Sequence, residues 1–375
     1  MQLAVRSQRI YALDALRAFL MFFGLLVHAG SHTSVVWGMG AIAFVSGLFR
    51  MEGFFVLAGF FAAMILTKVP ARTFHVRRLQ GILVPLLVVL PTNLLAIELH
   101  DIYLQQRASL FPGLPVGELQ TPWHLHLWFL LVLAGCTVLT LPLVRLADRI
   151  QAISRHLPLP PHMICLAIAI GGVLVGRIAI TGTFGEYATL DERLYPIVAF
   201  GNYLPFYLVG ILSYRSEPVR MAMVAPQRAD VVVWSAVAAI SAAARFGLPL
   251  TAGAILTVEA ALALAVFGLL CALFQRLVRG PNPSVAFLSD AAYTVYLLHY
   301  LVMWLVFAAF APVFESYWAL YALALVLATA SMLAFHALVV KRSPVLSFLL
   351  NGKRREAASK ATAAAPVRAQ SAGYG

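Results

Sequence analysis

Charge is scarce in this 375-residue chain. Lys, Arg, Asp and Glu together make up 11% of it, and only 15 residues are acidic. A soluble domain carries roughly 25% charge, so a surface that faces water on all sides is excluded. Cysteine is scarce too. Cys136, Cys165 and Cys271 lie in or beside apolar stretches at no framework spacing, which excludes a disulfide scaffold and a thiolate zinc site. GxSxG elbow, Walker loop, HExxH and CxxC are all missing. The chain therefore offers no good protein nucleophile. No small-x-small cleavage site ends the first apolar segment, which is expected to be retained. No internal repeat and no separate soluble domain are present. The acidic deficit leaves a net charge of +12. Its basic residues sit in short gaps between apolar runs, where membrane topology puts them, so no nucleic-acid partner is expected.

What remains is apolar: 62% of the residues are hydrophobic. A membrane-spanning helix takes about 20 such residues. Ten stretches qualify, at 11–30, 51–67, 82–99, 123–144, 163–181, 196–213, 229–247, 250–274, 286–310 and 317–340. Alternating them from an inside N-terminus puts 21 of the 27 Lys and Arg residues on the inner side and three on the outer. That bias predicts an all-α polytopic membrane protein of about ten spans with both termini cytoplasmic. A transmembrane domain is expected over 1–350, followed by a disordered basic cytoplasmic tail over 351–375. Residues 31–50 read either as a short surface helix or as the start of a long tilted span. The loop around 100–122, rich in Pro and Gly, is long enough to cap a cavity.

Three residues of the first span do not belong in lipid. Arg17 and His28 stand eleven positions apart, about three helical turns, so they share one face roughly 16 Å long. Asp14 falls on nearly the same face. Ionisable groups inside a span cost about 2.5–3.5 kcal/mol each and mark a functional site by default. His28 can take a proton from a hydroxyl near neutral pH, although an isolated histidine can equally be a packing residue. Arg50 and Glu52 flank the outer start of the second span. Glu52 near His28 would orient the imidazole, and an interfacial ion pair is the alternative. Gly53 and Gly59 would let helices approach closely. Arg72, Arg77 and Arg78 follow that span. Topology alone explains them, and they would also suit the phosphates of coenzyme A.

Further along, His124, His126 and Trp128 open the fourth span, as a carbohydrate-stacking rim or as an interfacial anchor. The i, i+2 spacing splays the two rings on a helix and no third ligand is clear, so no metal is expected. Tyr293, Tyr296 and His299 step along one helix face with Tyr300 beside them and Asp290 at its inner end, as a lining would. Arg177 and Glu259 are both embedded and read by default as a pair locking two helices.

In order along the chain stand R-x10-H after LDAL (13–16), FFVLAGF (54–60), RRLQGILVP (77–85), HLWFL (126–130) and YTVYLLH (293–299). Together they resemble the acyltransferase-3 family of membrane O-acyltransferases, over nearly the whole chain, and most nearly its periplasmic-glucan branch. Two positions depart from the family pattern. Gly81 stands where a second Arg would follow Arg78, so that Arg72 or Arg77 must substitute, and Ala58 stands where Ser is usual. The resemblance implies a bacterial inner-membrane enzyme. In it acyl-CoA, with succinyl-CoA the expected donor, docks on Arg72, Arg77 and Arg78. The acyl arm would run past Arg17 to the catalytic His28, which activates a hydroxyl of a periplasmic glucan. Glucan-synthesis proteins are implied as further partners. Arg50 and Arg177 are candidates, by position, for binding a free acyl carboxylate. The rival class is a polysaccharide or glycolipid transporter, which would use the same lining without acyl-CoA and is favoured by broken helices and repeats.

Overall fold

The computed structural model describes residues 11–30, 39–110, 124–157, 159–185 and 192–352. Among them every regular element is helical. Residues 31–38, 111–123 and 353–375 lie outside the described residues, and with them the expectations placed there, while residues 100–110, expected as the start of a loop, are helical.

Helices α1 (Tyr11–Gly30), α2 (Met39–Gly47), α3 (Arg50–Leu66) and α4 (Ala71–Leu110) come first. A short 3-10 turn (Leu125–Leu127) leads into α5 (Trp128–Val138) and α6 (Thr140–Ser154). Next are α7 (Pro161–Phe184), α8 (Tyr195–Arg215), α9 (Glu217–Met223), α10 (Arg228–Gly247) and α11 (Ala252–Leu277). The chain closes with α12 (Pro283–Phe310), α13 (Tyr317–Phe335), a π-helical turn (His336–Val340) and α14 (Pro344–Asn351). Among the described residues nine helical stretches are long and apolar enough to cross a membrane, or ten if the bent pair α5–α6 counts as one span. The protein is thus a multi-pass membrane protein.

The breaks have local causes. The α5–α6 pair bends by 63°. Pro142 lacks the N–H that would bond the Val138 carbonyl. Thr140 meanwhile bonds the Cys136 carbonyl at 3.0 Å and the Tyr207 hydroxyl at 2.8 Å. Long α4 carries Pro85 and Pro91 internally. Pro85 leaves the Gly81 carbonyl without its helical donor, and Tyr293 Oη supplies one at 3.0 Å.

Two expectations need correcting. Ala41–Leu66 forms one apolar run, so Arg50 and Glu52 lie within the span rather than at its outer start. Glu259 does not pair with Arg177. It accepts from Arg245 Nε at 2.9 Å, because α10 and α11 form an antiparallel hairpin that brings those two positions together.

Helices α1 and α12 run parallel, side by side. Arg17 meets Ser289 near one end and His28 meets His299 and Tyr300 near the other. Helix α13 returns along α1. Its Tyr321 and Tyr317 donate to the Leu26 and Ala29 carbonyls at 2.9 and 3.0 Å, fixing the end of α1 that carries His28. Helices α3 and α8 cross at Gly59 and Gly210. A Cβ at either position would run into the other helix's backbone, at the Tyr207 or Val56 carbonyl. Close approach at Gly59 is therefore as expected, and Gly53 packs against Phe267.

Candidate active site

The polar face of α1 looks into the bundle and serves two sites. At one end lies a cavity of about 520 Å³. Its walls include Arg17, Arg77, Arg78, Asp290, Tyr293 and Asn351. Arg17 donates to Ser289 Oγ at 2.7 Å, stands 3.7 Å from Asp14 and sits over the Phe61 ring. These contacts hold its guanidinium in place at the cavity wall. Arg78 reaches the Ala58 carbonyl at 3.4 Å, while its buried Nε lacks a hydrogen-bond partner among the described residues. An orphaned buried guanidinium N–H is costly, and an anionic ligand would satisfy it. The cavity is otherwise apolar, lined by residues such as Phe54, Leu57, Phe61 and Phe129. That combination suits a ligand with a charged head and a thin apolar arm. Arg72 is exposed and is not part of the wall.

At the other end three histidine rings converge. His28 lies 5.2 Å from His299 and 6.1 Å from His126, and those two are 4.9 Å apart. Tyr300 stacks on His126 at 4.9 Å and meets His28 edge-on at 5.3 Å. Tyr296 donates to the His126 carbonyl at 2.7 Å. His299 Nδ1 lies 2.7 Å from the Tyr296 carbonyl. A carbonyl only accepts, so Nδ1 carries the proton and Nε2 keeps its lone pair. The sequence contained these three histidines but gave no reason to bring them together. Helical phase would splay His124 from His126, yet both are buried. Leu125 between them adopts φ +42°, a left-handed conformation costing roughly 1–2 kcal/mol for a branched residue. That kink resets the phase. His124 is anchored through its carbonyl, which accepts from Asn93 Nδ2 at 3.1 Å. No group of three or more His, Cys, Asp or Glu among the described residues is arranged to hold a metal ion.

Arg50, at the start of α3, reaches toward this cluster. Its Nε donates to Ser46 Oγ at 2.9 Å, and its Nη1 packs against Gly24, one turn before His28. Its charge acts on Tyr296 and His299 as well as on Glu52, Tyr195 and Tyr203. Arg50 and Glu259 are the charged groups that act on Glu52. Beside Arg50 and Glu52, Trp128 stacks on Tyr203 at 5.7 Å, and Tyr203 on Phe55 at 5.0 Å, with Tyr195 edge-on to Trp128. Arg177, on α7, belongs to neither site.

Four contributors were not singled out from the sequence. Ser289 was within reach, since 289, 293, 296 and 300 continue one face at helical spacing. Tyr195 and Tyr203 carry no local signal, and Asn351 joins the cavity only through the packing of α14.

A family model described as an acyltransferase domain matches residues 10–337. Glucans biosynthesis protein C of Escherichia coli K12 is 25% identical over 93% of this chain and 96% of its own length. The protein of the same name from Escherichia coli O157:H7 is 24% identical over the same shares. No solved structure matches. With its two sites joined by the Arg17–His28 face and a family match running from the first helix to the π-helical turn, this chain belongs to the acyltransferase-3 family and is an acyltransferase.

Proposed function

We propose that the protein moves an acyl group, succinyl by preference, from acyl-CoA to a hydroxyl of a periplasmic glucan across the bacterial inner membrane. The observation that carries this reading is the pairing, along one face of α1, of an arginine-lined cavity with a histidine cluster about 16 Å away. The excess of Lys and Arg in one set of loops supports an orientation with the cavity on the cytoplasmic side, where acyl-CoA is made, and the histidines on the periplasmic side. The glucan acceptor is suggested by the name of the relatives.

Arg77, Arg78 and Arg17 would hold the donor's phosphates and line the way inward. Acyl-CoA brings an activated thioester. His28 takes the proton of the acceptor hydroxyl as its oxygen bonds to the acyl carbon and the C–S bond breaks, and returns that proton to the departing thiolate. Tyr195, which is exposed, and Trp128 beside it offer rings against which a sugar can stack. Arg50, whose charge reaches His299, is placed to meet the free carboxylate of a succinyl group. Arg50→Ala is expected to lower succinyl transfer about tenfold or more while acetyl transfer falls less, in line with the loss of one charge-assisted contact. Equal loss of both would remove the carboxylate role.

The test of the whole reading is purified protein in nanodiscs with radiolabelled succinyl-CoA and glucan. Label on the glucan together with free coenzyme A is the expected result. The bent α5–α6 pair would also suit a transporter, but Pro142 and the Thr140–Tyr207 bond account for it locally. Glucan movement without label transfer would favour that alternative.

A further inference from the structure

The chain after α13 is built into the cavity. Helix α14 ends at Asn351, followed by Gly352 at φ +62°. A Cβ on Gly352 would collide with the Gly81 backbone, so position 352 needs glycine for this corner to close, whereas a Cβ at Gly81 would meet nothing within 4 Å. Gly81 is itself held by the Tyr293 hydroxyl. Asn351 is held from the other side: Thr294 donates to its Oδ1 at 3.2 Å. Thr294 bonds His336 Nδ1 at 2.9 Å, and His336 Nε2 lies 3.2 Å from Asp290. That chain of bonds starts on the π-helical turn, a backbone form often found at functional sites. Asn351, Gly352, Gly81, Tyr293 and Asp290 all face the same cavity as Arg17, Arg77 and Arg78.

We infer that Asn351 is a donor-binding residue: its Oδ1 is held by Thr294, and its Nδ2 donates to a phosphate oxygen of the acyl donor beside Arg78. An amide whose oxygen is fixed by a hydroxyl presents its NH2 in a set orientation. The inference rests on the donor reading of the cavity.

Binding of desulfo-coenzyme A to the full chain in nanodiscs tests it. Asn351→Asp is expected to weaken binding about tenfold or more, since it replaces a donor with a negative charge facing phosphate, and Asn351→Ala severalfold. Arg78→Ala is the reference. If it weakens binding while both Asn351 variants bind like the parent, the inference is overturned and the donor reading stands. If all three bind like the parent, or the parent does not bind, the donor reading itself fails. A second readout does not depend on those variants. Cys136, Cys165 and Cys271 are buried, so Asn351→Cys supplies the accessible thiol. Desulfo-coenzyme A should slow its labelling by a maleimide about tenfold, and an unchanged rate overturns the inference.

Discussion

Replacing His28 by alanine is expected to lower acyl transfer by about 10²–10⁴-fold, the usual contribution of a general base. His28→Gln should fall as far, because glutamine keeps the bulk and a hydrogen bond but cannot carry the proton. Neither change should unfold the protein. The end of α1 is held independently by Tyr317 and Tyr321 through main-chain carbonyls, which no side-chain substitution at position 28 removes. Donor binding at the arginine cavity, three turns away, should be unaffected, and this separates loss of chemistry from loss of the fold. The neighbouring rings have other constraints. His299 has its tautomer fixed by the Tyr296 carbonyl, and His126 is stacked under Tyr300 with its own carbonyl held by Tyr296. Activity retained in both variants, measured as label on glucan, would transfer the base role to one of those two rings.

How much of this was legible beforehand depended on the scale of the interaction. The spans were legible because each is a local property of about 20 residues: nine of the ten stretches recur as helices long enough to cross, and the tenth, 123–144, falls on the bent pair α5–α6. The face shared by Arg17 and His28 was legible for the same reason: helical phase needs no tertiary knowledge. Pairings between helices were not. Arg177 and Glu259 were matched because both looked orphaned, but the α10–α11 hairpin supplied Arg245 first. Arg50 and Glu52 read as the outer start of the second span, whereas the continuous run Ala41–Leu66 carries both inside it. The His126 position depended on one strained dihedral at Leu125, which no pattern of residue types reveals. The donor cavity was half legible. Arg77 and Arg78 were found by charge, but Arg72, one turn or more earlier on α4, points elsewhere, and the wall formed by Asn351 arrives from the far end of the chain.

The close crossing of α3 and α8 leads to the largest expected effect on stability. Gly59→Val or Gly210→Val should abolish stable assembly, and even the alanine variants should be strongly destabilised. Overpacking a well-filled core typically costs about 1–3 kcal/mol when side chains can shift. Here the obstacle is backbone: Gly59 lies on the Tyr207 carbonyl and Gly210 on the Val56 carbonyl, so relief requires moving whole helices apart. Glycine itself is poor in a helix interior by about 1 kcal/mol relative to alanine, so propensity alone predicts the opposite sign. Gly171 and Gly182 make the comparison clean. Both are helical and a Cβ at either meets nothing within 4 Å, so their alanine variants should hold or raise the unfolding temperature. Thermal unfolding of the four variants in detergent separates the two effects. The consequence for function follows from what the crossing carries: α3 brings Arg50 and Phe55, α8 brings Tyr203, and Phe55 stacks on Tyr203 across the same interface. Spreading the helices would pull the aromatic faces away from the arginine, so any Gly59→Ala protein that does assemble should lose succinyl transfer more than it loses donor binding.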